Sequence, residues 1–133
     1  MKIKTLMKFY FSAGSLNRAL DNIITRLALS SGQDVYAGCE EYFDKICRVL
    51  EDKQKLSELW ARLDGVMSNM TERDRVTLKS YAAARTGVKG EIKKEIHRAA
   101  VKFARRAAGI LKSCGEVYSV LCAYRCLISP SPE

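Results

Sequence analysis

Apolar residues recur three or four positions apart along most of this chain, the spacing of helices rather than strands. The first run is Ile3, Leu6, Tyr10, Ala13, Leu16, Leu20, Ile23 and Leu27, which predicts a helix over 3–28. Gly14 weakens its middle by about 1 kcal/mol against alanine without ending it. "SSGQD" at 30–34 is expected to form a turn, with Gly32 as the stop and Asp34 as the next N-cap.

The most regular stretch is 39–70. Cys39, Tyr42, Ile46, Val49, Lys53, Leu56, Trp60, Leu63, Met67 and Met70 alternate three- and four-residue steps, a heptad seam with Lys53 as its one polar member. A helix of about 30 residues is about 45 Å long and cannot hide such a seam alone. The first helix, as an antiparallel partner, is the expected cover, and a second copy of the chain is a further candidate. Trp60 and Met67 lie on the seam and are assigned to the core.

A new helix starts after Thr71. Thr71 can cap it, Glu72 and Asp74 suit its positive end, and the Thr-x-x-Asp spacing approximates a capping box. This third helix is predicted to reach about Arg85, with Val76, Leu78, Tyr81 and Ala82 as its apolar members. "TGVKG" at 86–90 is a loop, a fourth helix covers 91–112, Gly115 ends it, and an apolar fifth helix spans 116–127. Both prolines, Pro130 and Pro132, fall in the tail 129–133, which is expected to be disordered. The expected fold is all-α: a long antiparallel helical hairpin followed by a compact three-helix C-terminal part. It forms a single domain over 1–133, divided into a hairpin (1–70), a basic helical part (71–128) and the tail.

Composition fits one globular domain: 133 residues, 47% hydrophobic and 29% charged. Charge adds an asymmetry. Residues 1–70 carry 10 basic and 9 acidic side chains, whereas 71–133 carry 13 and 6. That imbalance points the second half toward an anionic partner. The five cysteines include no Cys-x-x-Cys pair, and Lys4 and Lys8 interrupt any signal-like apolar run, so a reduced cytoplasmic setting is expected. The longest apolar tract, 117–128, contains Arg125 and is too short to cross a bilayer, which sets a membrane partner aside.

The charge concentrates in "EIKKEIHRAAVKFARRAAGILK" at 91–112. With Ile92 at 0° and 100° per residue, Ile96, Ala99, Ala100, Phe103, Ala107, Ile110 and Leu111 fall between about −20° and 100°. Lys94, Arg98, Lys102, Arg105 and Lys112 fall between about 200° and 280°, with Arg106 beside them at about 320°. Glu91 and Glu95 lie within this arc in the first turns, and no acid follows them. The stripe suits duplex DNA, suits an acidic protein partner, and is equally what a solvated helix face looks like. As a nucleic-acid interface its contacts are Lys94, Arg98, Lys102, Arg105 and Arg106.

Catalytic patterns are sparse. His97 stands alone on the border of the apolar arc. It can be grouped with Cys114, Cys122 and Cys126 only at a spacing that matches no common zinc motif, so buried, packed cysteines are expected and no metal. Glu40, Glu41 and Asp44 are accompanied by Lys45 and Arg48, as on a solvated face. There is no phosphate-cradling glycine loop and no ordered Ser/His/Asp set. No enzyme activity, cofactor or small-molecule substrate is expected.

"LDGVMSNMTERDRVTLKSYAAARTG" followed by "EIKKEIHRAAVKFARRAAGIL", roughly residues 63–111, resembles the sigma-70 region-4-like proteins of phages and mobile elements. Glu72, Arg73, Arg75, Leu78 and Tyr81 echo their first helix, Glu95 and Ile96 the next, and Arg98, Lys102, Arg105 and Arg106 the recognition helix. The resemblance implies a non-enzymatic, DNA-binding transcriptional regulator. The chain departs from the helix-turn-helix pattern in having no helix breaker between Glu91 and Ala108, so a DNA-binding surface is implied and groove insertion is not. The alternative is a helical protein-interaction or scaffolding module that forms a homodimer through the 39–70 seam.

Overall fold

The computed structural model describes residues 3–33, 39–83, 90–113 and 115–128, without the side chains of 31–33, 39 and 111. Every regular element among them is a helix: α1 (Ile3–Gln33), α2 (Cys39–Ser68), α3 (Glu72–Ala83), α4 (Glu91–Arg106), α5 (Ala108–Ser113), α6 (Gly115–Ala123) and α7 (Arg125–Ile128). The all-α class is as the periodicity predicts. Among the described residues no helix is long and apolar enough to cross a membrane.

α1 and α2 form the hairpin. Tyr10 Oη donates to Asp64 Oδ1 at 2.6 Å, and Lys53 Nζ to Asp21 Oδ1 at 2.6 Å. Eleven residues forward on α1 thus match eleven residues back on α2, the register of an antiparallel pair. Lys53, the polar member of the seam, sits at the hairpin edge and serves this pairing. Leu6, Leu16 and Leu20 of α1 are buried with Val49, Leu56, Leu63, Met67 and Met70 of the α2 region. Met7, Phe9 and Leu59 lie off the predicted stripes and are buried too. Their burial follows from a second set of neighbours, since α3 and α7 lie against α1, and α6 lies against α2. Trp60, expected in the core, is only partly buried.

α1 does not stop at a turn over 30–34. It continues through Gly32 to Gln33, because one glycine near a helix end is a weak brake on a long packed helix. Asp34 and its predicted cap lie outside the described residues, as do the end of the third helix near Arg85, most of the loop 86–90, Cys114 and the tail 129–133.

The C-terminal part is three rods, two of them bent. The predicted helix over 91–112 divides at Ala107, a buried residue with φ −93° and ψ 4°. No breaker stands there; the Ala107 N–H still donates to the Phe103 carbonyl at 2.8 Å, and exposed Gly109 lowers the helix propensity just beyond it. Gly115, expected to end that helix, instead opens α6. The helix expected over 116–127 divides at Tyr124, where Tyr124 N–H donates to the Leu121 carbonyl (3.1 Å) and Leu127 N–H to the Tyr124 carbonyl (2.9 Å). These three-residue turns are tighter than an α-helix. The Tyr124 hydroxyl donates to Asp52 Oδ2 at 2.6 Å and pins the bend to α2.

The rods cover only part of the hairpin. Among the described side chains, buried residues on α1 end at Leu20 and those on α2 begin at Val49. Toward residues 33 and 39 the two helices continue as a tip.

Candidate nucleic-acid interface

α3 begins as its sequence predicts. The Thr71 hydroxyl accepts the Asp74 backbone N–H at 3.2 Å, the N-cap bond that satisfies an otherwise orphaned donor. Leu78 and Ala82 are buried, while Val76, expected to be apolar contact, faces solvent. α4 is entered through Gly90, whose φ of 78° is the left-handed conformation that glycine adopts without penalty. Ile96, Ala99, Phe103 and Ala107 are buried, as the helical projection requires. Ile92 is 61% exposed, although it lies on the predicted apolar arc.

The opposite face does not meet solvent uniformly. Arg98 Nη2 donates to Asp74 Oδ1 at 2.9 Å and to Glu95 Oε2 at 3.0 Å, and Lys102 Nζ donates to Asp74 Oδ2 at 3.1 Å. Arg106 donates to the Asn69 carbonyl. Arg73 Nη2 donates to Glu95 Oε1 at 2.9 Å, so Glu95 is shared between α3 and α4. Lys94 and Arg105 are exposed, with no polar partner among the described residues. The five predicted contacts therefore share one edge of α4 in two groups. Arg98, Lys102 and Arg106 tie α4 to α3 and to the end of α2, while Lys94 and Arg105 are free cations.

Asp74 organises this edge. Its side chain is 1% exposed, whereas those of Arg98 and Lys102 remain 45% and 40% exposed. Burial pushes the carboxyl toward its neutral form, yet the hydrogen bonds from Lys102 and at Thr71, with the charges of Arg98 and Lys102, outweigh it and hold the pKa below the ordinary 3.8. The hydrogen bond to Glu95 and the charge of Asp74 push Arg98 upward, so it stays protonated. Asp74 was legible in the sequence only as part of a helix cap. Its carboxylate is instead the ligand of two cations 24 and 28 residues away, a distance that helical periodicity does not address.

The other candidates stay apart from this edge. His97 is exposed. Cys122 and Cys126 are exposed, which overturns the expectation that they are buried, because α6 and α7 turn Leu121 and Ile128 inward instead. Among the described residues no group of His, Cys, Asp and Glu could hold a metal ion. Glu41 pairs with Lys45 at 3.5 Å across one helical turn, both well exposed, as on a solvated face.

No protein-family model, no curated protein and no solved structure matches the chain.

Proposed function

We propose that the protein is a non-enzymatic nucleic-acid-binding regulator that lays the basic edge of α4 along the phosphates of duplex DNA. The observation that carries this reading is the run of Lys94, Arg98, Lys102, Arg105 and Arg106 along one accessible edge of a single helix. Arg98 and Lys102 keep 45% and 40% of their side-chain surface in solvent while Asp74 holds them, so donors remain for phosphate oxygens. The resemblance to sigma-70 region-4-like proteins agrees with such a role. In a fluorescence-anisotropy titration of labelled duplex at several salt concentrations, four to five phosphate contacts give a slope of about −4 for log affinity against log salt. Lys94→Ala with Arg105→Ala should lower that slope by about 2 without altering the fold, since neither residue makes an internal polar contact. Absence of binding at low salt, or a slope unchanged by the pair, sinks the reading.

A second reading is supported by the hairpin tip. Leu29, Phe43 and Leu50 are exposed there, Phe43 by 64%. Val49, Leu56, Leu63, Met67 and Met70 of the seam are consumed inside the monomer, so self-association would use the apolar residues exposed beside the seam, Phe43 and Leu50 of α2 with Leu29 of α1. Light scattering would show a dimer that Phe43→Lys dissociates. A monomeric wild type removes this reading.

A further inference from the structure

We propose that the hairpin carries a binding cleft for a small, uncharged aromatic molecule, between α1 and α2 over Gly14. The cleft has a volume of about 310 Å³. An apolar cavity of about 150 Å³ accepts benzene, so this volume suits a bicyclic ring system, and it falls at the small end of ligand sites. Its walls are aromatic and aliphatic, with Phe9, Phe11, Leu16 and Trp60 among them.

The charge of the ligand follows from the lining, which includes no ionisable acid or base other than the Tyr10 phenol. The polar atoms of the two large rings are already used. Trp60 Nε1 donates to the Tyr10 carbonyl at 3.1 Å, and Tyr10 Oη donates to Asp64 at 2.6 Å. A charged guest would lose hydration and find no opposite charge in the lining. Asn17 and Ser57, both exposed, are left to offer a single hydrogen bond at the mouth.

The cleft is preformed. The Tyr10 and Trp60 rings stack at 5.6 Å with 9° between planes, and Phe11 meets Tyr10 edge-on at 4.9 Å. Gly14 lies at the cleft rim and is exposed. Its φ is not positive, so its backbone does not require glycine. A Cβ placed there would meet nothing within 4 Å, so a larger side chain at this position can be added without a clash and would reach over the cleft.

Trp60 is the sole tryptophan, so intrinsic fluorescence reports on this wall. The experiment titrates the full chain with 2-methoxynaphthalene, an uncharged bicyclic fluorescent probe, reading probe emission and Trp60 quenching together. Saturable one-to-one binding is expected. Gly14→Leu should weaken it at least tenfold while leaving the melting temperature equal or higher. Ser57→Phe fills the cleft from α2, should act likewise, and decides the matter if circular dichroism shows Gly14→Leu misfolded. Val76→Ser, an exposed position on α3 away from the cleft, should leave affinity unchanged. Non-saturable binding, full affinity in a folded cleft-filling variant, or loss on Val76→Ser overturns the proposal.

Discussion

The Asp74 carboxylate offers the sharpest test of how the C-terminal part is held together. Asp74→Asn keeps the shape of the side chain and one acceptor oxygen, but its amide nitrogen meets a cation where an oxygen stood. Hydrogen bonds to a charged group contribute roughly 1.5–3 kcal/mol each. The two donors remain 45% and 40% exposed, so water competes for them and the low end of that range applies. Losing one bond and weakening the other should cost about 2 kcal/mol. With an unfolding entropy of about 2.1 cal/mol/K per residue over 133 residues, that is a fall of about 7 °C in melting temperature near neutral pH.

The pH dependence makes the test specific. The folded-state pKa of Asp74 is depressed, so its contribution is fully present above the unfolded value of about 3.9. It is lost as pH falls through the lower folded value. Melting followed by circular dichroism should therefore show the gap between wild type and variant constant from pH 5 to pH 8 and closing below about pH 4. A fall under about 2 °C at pH 7, or an equal gap at pH 3 and pH 7, would refute the clamp.

Further outcomes follow from the same contacts. Tyr124→Phe should cost about 1 kcal/mol by freeing the α6–α7 bend from Asp52, measured by urea unfolding with an unchanged m-value. Burial and the Asp64 hydrogen bond push Tyr10 up to about 12, and burial with Asp52 pushes Tyr124 upward as well. Their contribution is whole below pH 10 and lost as pH climbs through the raised values, so phenolate absorbance should show a late phase that Tyr10→Phe and Tyr124→Phe each reduce. Leu63→Ala, at a fully buried seam position, should cost about 2–5 kcal/mol in the same urea assay. If α4 binds duplex DNA, Asp74→Asn should tighten binding at low salt and steepen the salt slope, because two cations lose their internal neutralisation. Weaker binding by folded variant would argue against phosphate contact at this edge.

The long helices were legible because their apolar residues answer to one period that does not depend on the partner. The seam from Val49 to Met70 and the stripe from Leu6 to Leu20 had to be covered, and each covers the other. Met7, Phe9 and Leu59 were not legible, since burial on a second helix face depends on which rods return to the hairpin. The bends at Ala107 and Tyr124 escaped for a related reason. Neither position carries a breaker, and the bend at Tyr124 is held by a contact distant in sequence, its hydrogen bond to Asp52. Gly32 shows the converse error, a residue read as a stop that a packed helix passes through.

The basic edge was legible as charge but not as structure. Projecting one helix sorts its own residues by angle and treats everything opposite the apolar arc as solvent. That holds for Lys94 and Arg105. It fails for Arg98, Lys102 and Arg106, because α3 and the end of α2 lie beside that arc and supply Asp74 and the Asn69 carbonyl. An arginine in such a place serves the fold through some of its N–H groups while others remain exposed. Loss of DNA binding on Arg98→Ala could therefore reflect a loosened α3–α4 pair as readily as a lost phosphate contact. Lys94 and Arg105 have no internal partner, so their removal changes the surface charge and leaves the clamp intact. Of the five proposed contacts, they alone separate the contribution of this helix to binding from its contribution to the fold.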